Sequence, residues 1–90
     1  MEEPMPVFWH RAKIEHLIEN PPSTPVTVLS GDARILAKVR ATYGRVVAYT
    51  PTHGLYEWAD GGGELRALWE EAKQIRRVTA QEWKGRPLPD

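Results

Sequence analysis

No cysteine occurs among the 90 residues, which excludes a disulfide framework and a thiolate zinc site, so a small core must suffice without either staple. Net charge is missing too. The 12 basic and 12 acidic residues cancel, and with them goes the bias toward nucleic acid that a strongly basic domain carries as a whole. No apolar run approaches the roughly 18 residues of a membrane helix, and the opening MEEPMP is acidic where a secretory signal is basic. These absences predict a soluble, unexported, cytoplasmic chain with no membrane contact, and the length leaves room for one domain around one core. Phenylalanine is scarce, at one residue, whereas 4 tryptophans and 3 tyrosines are many for so small a core.

Residues 1–6, with two prolines and two glutamates, read as a flexible lead-in. From Val7 the positions Ile14, Leu17 and Ile18 recur at helical spacing, with Phe8 and Trp9 at the start, and predict an N-terminal helix over 7–20. Asn20, Pro21 and Pro22 end it, and the proline-rich 21–25 forms a hinge. Residues 26–84 are expected to fold as one small β domain, with 85–90 as a tail. Val26 and Val28 alternate with Thr27 in a first short strand, and Ser30 to Asp32 make a turn. In RILAKVRA, Ile35, Ala37, Val39 and Ala41 point one way, and Arg34, Leu36, Lys38 and Arg40 the other. Tyr43 and Gly44 are expected at the hairpin turn, followed by RVVAYT as the partner strand. PTHG then turns, LYEWA adds a strand, and DGGG closes it.

Two readings compete for the last third. As a helix over 64–84, Leu65, Leu68, Trp69, Ala72 and Ile75 form one stripe, with Gly85 and Pro87 just past its end; the fold is then α+β, a three- to four-stranded meander followed by that helix. As LRALW strand, EEAKQ single helical turn and IRRVT closing strand, the fold is mainly β with a peripheral helix. We take the second, because isoleucine, valine and threonine close together in IRRVT disfavour helix and favour strand.

The WEEAKQIRRV tail and the LAKV segment followed by Tyr43-Gly44 and RVVAYT resemble a Src-homology-3-like barrel of the Tudor or KOW type. There a tryptophan-bearing strand leads through one 3₁₀ turn into a short final strand. The resemblance covers roughly residues 25–79 and implies a five- or six-stranded antiparallel, partly open barrel that acts as a binding module. Residues that hold polyproline in the peptide-binding group have no counterpart in the short SGDA loop, so binding of proline peptides is not expected.

Arg34, Lys38 and Arg40 fall on one strand face, Arg45 lies across the hairpin, and residues 33–56 contain no acid. With Tyr43 or Tyr49 to stack bases, such a face suits a nucleic-acid backbone; its plain alternative is a solvated face that blunts a sheet edge. Glu57, Asp60, Glu64, Glu70 and Glu71 form an acidic stretch downstream, either a patch that orients the domain on a partner or charge neutralised between neighbouring strands. Trp58 and Trp69 belong to the core by their strand periodicity. Tyr43, Tyr49, Tyr56 and Trp58 could instead cage a methylated cation, with core packing the simpler role. Phe8, Trp9 and Trp83 either staple peripheral turns or sit at a protein interface.

His10, His16 and His53 assemble no metal-ligand pattern, and neither Ser23 nor Ser30 lies in a nucleophile elbow. Neither a metal, another cofactor, a catalytic residue nor a small-molecule substrate is expected. Three functions remain. The first is a non-catalytic nucleic-acid-binding or nucleoprotein accessory module. The second is a protein-interaction or structural subunit of a larger assembly, of the sort bacteria, phages and mobile elements carry. The third is a toxin-type ribonuclease on a related barrel, with Arg34 or Arg40 beside Thr42.

Overall fold

A computed structural model of the chain describes residues 5–89, with side chains from residue 8. The chain is mainly β with one N-terminal helix. Helix α1 (Met5–Glu19) is followed by strands β1 (Thr27–Val28), β2 (Ile35–Val39), β3 (Thr42–Tyr49), β4 (His53–Ala59), β5 (Leu65–Glu71) and β6 (Ile75–Arg77). Single 3₁₀ turns lie at Gly31–Ala33 and Ala72–Gln74. The six antiparallel strands run in the order β5-β4-β3-β2-β6, with β1 on β3, in a sheet that does not close.

The last third is strand, 3₁₀ turn and strand, so the alternative of one helix over 64–84 is overturned. Tertiary pairing decides this. β4 is buried on both faces and offers β5 apolar neighbours on each, Leu55 opposite Trp69 and Tyr56 opposite Leu68. Ile75 then packs beside Val39 in the inner core, a position that a continuing helix could not reach. Four residues of the expected lead-in lie outside the described residues, and Met5 and Pro6 already belong to α1. Proline fits a first helical turn, where its missing N–H has no intrahelical partner.

The hairpin between β2 and β3 turns three residues earlier than its sequence suggests. Val39 pairs with Thr42, so Arg40 and Ala41 form the turn, and Arg40 takes a φ of 54°. Gly44 is a strand residue whose role is close approach. A Cβ there would come within 2.8 Å of Tyr56 Cζ and closer still to the Glu57 carbonyl oxygen.

Two layers of core sit on opposite faces of β3 and β4. On the inner face Ala37, Val39, Val46 and Tyr56 pack with Leu29, Ile35, Trp58 and Ile75. On the outer face Val47, Ala48 and Leu55 receive Ile14, Leu17 and Ile18 of α1, together with Trp69. A bulge between Val46 and Ala48 resets the alternation, so that the consecutive residues Val47 and Ala48 both serve the outer face. The Trp69 indole N–H donates to the Leu17 carbonyl at 2.8 Å, satisfying a carbonyl in the last turn of α1 and fixing the helix on β5. At the hinge, the Ser23 hydroxyl donates to Thr50 Oγ1 at 2.7 Å and also bonds Thr52 Oγ1 at 2.6 Å, tying the proline segment to the β3–β4 turn.

Candidate nucleic-acid interface and the ion cluster beside it

On the outer face of the sheet α1 packs over β3, β4 and β5, and Lys38 and Arg76 lie beside it on β2 and β6. Lys38 lies in the middle of β2, with Tyr43 as its register partner on β3 and Arg76 as its partner on β6. Direct partners share a face. The Lys38 ammonium rests 5.0 Å from the centroid of the Tyr43 ring, a cation–π contact. Arg40 stands exposed at the hairpin tip. Arg34 precedes β2 and lines, with Leu36 and Arg45, a hollow at the other end of this face; its Nε donates to the Gly31 carbonyl at 3.2 Å. Among the described residues none of Arg34, Lys38, Arg40 and Arg76 is ion-paired.

Arg76 is the member that sequence reasoning left out of this set. Its place depends on a pairing between β2 and β6 that spans nearly forty residues of chain, and no local pattern encodes that register. Tyr49 departs from the set in the other direction. Beyond the bulge the parity of β3 reverses, so Tyr49 faces the side of its partner Gly54, away from Lys38, and stays 44% exposed there. Thr42 opens β3, two residues from Arg40 across the turn, and its carbonyl accepts the Tyr56 hydroxyl at 2.5 Å.

Arg45 is on the outer face, yet its guanidinium is committed inside the protein. Nε donates to the Glu57 carboxylate and Nη2 to the Pro89 carbonyl, leaving the side chain 13% exposed. The other Glu57 oxygen bonds His10 Nε2 at 2.8 Å. Burial pushes the Glu57 carboxyl up, but hydrogen bonds from His10 and Arg45 outweigh it and hold the group below the usual carboxylate range. Counting back one turn from Ile14 on α1 lands on His10, so the histidine takes the inward position while Phe8 and Trp9 turn outward. Its Nδ1 is buried with no hydrogen-bond partner among the described residues.

The rest of the acidic stretch is also largely paired. Arg66 donates to Asp60 at 2.9 Å and to Glu64 at 3.2 Å, and Asp60 further accepts the Gly62 and Glu64 amides. Of the aromatic candidates, Phe8 and Trp9 are 58% and 61% exposed and meet edge to face at 5.4 Å. Trp83 is half-buried, and its indole N–H donates to the Gly44 carbonyl at 2.8 Å, just outside the β3–β4 ladder. Thr79 and Glu82 bond each other's backbone amides reciprocally and set the turn that delivers Trp83. Tyr56 is buried and stacks on Trp58 at 5.5 Å, while Tyr43 carries Lys38, so the four rings of the possible cage are dispersed.

Among the described residues no helix is long and apolar enough to cross a membrane. No protein-family model, curated protein or solved structure matches the chain.

Proposed function

We propose that the chain is a non-catalytic nucleic-acid-binding module whose contact surface is the open outer face of β2 and β6. The observation that carries this reading is the register pair Lys38 and Arg76. Two cations placed directly across a ladder repel each other and cost stability. Among the described residues no carboxylate is within ion-pair distance of either, Glu82 acting on Arg76 only from farther off, so a phosphate would supply the missing counter-charge. Arg34 and Arg40 extend the face at its two ends, and Tyr43 supplies a ring beside it for stacking. Arg45 serves from behind, as a buried strut.

The test is a fluorescence-anisotropy titration with mixed-sequence single- and double-stranded DNA and RNA at about 50 and 200 mM salt, because phosphate contacts release counterions and weaken steeply as salt rises. Binding should fall by roughly tenfold or more over that range, and Lys38→Glu with Arg76→Glu should abolish it. Affinity unaffected by the double reversal removes this face from consideration.

A second reading has its own observation. The exposed Phe8 and Trp9 pair on α1 is the composition of a protein-interface centre, and it suits a subunit that docks onto a larger assembly. Phe8→Ala with Trp9→Ala would break that docking and leave nucleic-acid affinity intact.

A further inference from the structure

A groove of about 350 Å³ runs between α1 and β1, on the far side of Arg34 from the nucleic-acid face. Its floor is apolar, with Ile14 and Ile18 from the helix and Val47 from β3. One wall is β1, and β1 has an unusual property for so short a strand. Leu29 N–H donates to the Val47 carbonyl at 2.8 Å, and Thr27 and Val28 are paired with Tyr49 and Ala48. Antiparallel partners alternate between hydrogen-bonded and non-hydrogen-bonded pairs. Leu29 and Thr27 therefore spend their backbone groups on β3, and Val28 directs its N–H and carbonyl away from β3, on an edge where β1 pairs with no other strand among the described residues. Its side chain is 58% exposed at the groove.

The charges around the groove are unequal. Arg45 and Glu57 neutralise each other at its inner end. Among the described lining residues Arg11 and Arg34 then stand against Glu15, with Asp32 in the adjoining hollow, and Arg34 carries no ion pair among the described residues. A free strand edge, an apolar floor and a cation with no ion pair among the described residues describe one kind of occupant. We infer that the groove takes an extended segment of another protein in which apolar residues alternate with acidic ones. The segment adds as a strand to the Val28 edge, seats its apolar side chains on Ile14, Ile18 and Val47, and places a carboxylate on Arg34. This site shares Arg34 with the nucleic-acid face but neither Lys38 nor Arg76, so reversal of those two charges distinguishes the sites.

The probe is a fluorescein-labelled, acetylated pentapeptide alternating aspartate with valine, titrated against the full chain at about 50 mM salt. Val28→Pro is the main variant. It deletes the outward N–H while sparing the ladder bonds of Thr27 and Leu29, and proline is tolerated on strand edges. Peptide affinity should drop by about tenfold or more in Val28→Pro, and by several-fold in Arg34→Gln and in a peptide with asparagine for aspartate. Peptide binding should persist in Lys38→Glu with Arg76→Glu. If Val28→Pro does not fold, the Val28 amide resonance of the native chain substitutes, and it should be among the most shifted by peptide. No binding up to about 1 mM peptide, equal binding by the Val28 and Arg34 variants, or an unshifted Val28 amide overturns the inference. Self-association that Val28→Pro abolishes gives the groove to a second copy and overturns it as well.

Discussion

Arg45 and Glu57 are direct register partners across β3 and β4, and their side chains meet under the first turns of α1, where His10 closes the pair from above. Glu57 is buried and Arg45 largely shielded from solvent, so each charge depends on the other. Breaking a buried pair by removing one partner costs about 3–5 kcal/mol, far more than the pair itself contributes. Glu57→Ala should therefore lower stability by about 3 kcal/mol or more in urea unfolding, whereas replacing the whole cluster with apolar residues, Arg45→Met with Glu57→Leu and His10→Leu, should recover most of the loss.

The same carboxylate makes the fold acid-sensitive. Glu57 is held below its ordinary range in the folded chain, so it contributes stability that is present above the unfolded pKa of about 4.3 and lost as pH falls through the folded value. Asp60, held down first by its bond from Arg66, and Glu82, held down first by the Thr79 amide, act in the same direction from exposed positions. Urea midpoints measured from pH 7 to about pH 3 should decline, and the gap between the native chain and Glu57→Gln should narrow with them. A gap that widens in acid would contradict the assignment.

Tyr56 reports the inner core at the alkaline end. Burial pushes its phenol up to about 12. A raised folded pKa means stability is complete below the unfolded value of about 10 and declines above it, as the unfolded chain ionises first. Tyr56→Phe should remove the latest step in an absorbance titration at tyrosinate wavelengths and, by losing the bond to the Thr42 carbonyl, cost about 1 kcal/mol.

Backbone sites in the β2–β3 hairpin should respond in opposite senses. Arg40 holds a positive φ that costs a non-glycine residue about 1–2 kcal/mol, so Arg40→Gly should stabilise by about 0.5–1 kcal/mol once the entropy of glycine is subtracted. Gly44→Ala should destabilise severely, because its new methyl group meets backbone and the Tyr56 ring. Thermal melts of the two variants distinguish this geometry from a turn centred on Tyr43 and Gly44, which would make Gly44 the sensitive turn position and Arg40 indifferent.

That hairpin also marks where sequence reading stops. The alternation in ILAKV, the helix through Ile18 and the closing strand in IRRVT follow from local period and propensity, and the mainly β architecture follows from them. Gly44 misleads because glycine serves both turns and close approaches, and only the Tyr56 ring behind it distinguishes the two. Glu57 resembles a member of an acidic surface stretch until β4 is known to be buried on both faces. Arg76 joins Lys38 through a pairing between distant strands, and Tyr49 leaves the face through a bulge without a sequence marker. Each is a consequence of tertiary register, which composition and spacing do not carry.

The central claim is that the open face of β2 and β6 contacts nucleic acid through Lys38, Arg76 and Tyr43. The most direct measurement is amide and side-chain shift mapping by NMR during titration with a short mixed-sequence oligonucleotide at low salt. The account predicts fast, salt-reversible shifts concentrated at Leu36 to Arg40, Tyr43 and Ile75 to Arg77, with the α1 surface at Phe8 and Trp9 unmoved. Shifts confined to α1 and the C-terminal segment, or no shifts at saturating oligonucleotide, would contradict it.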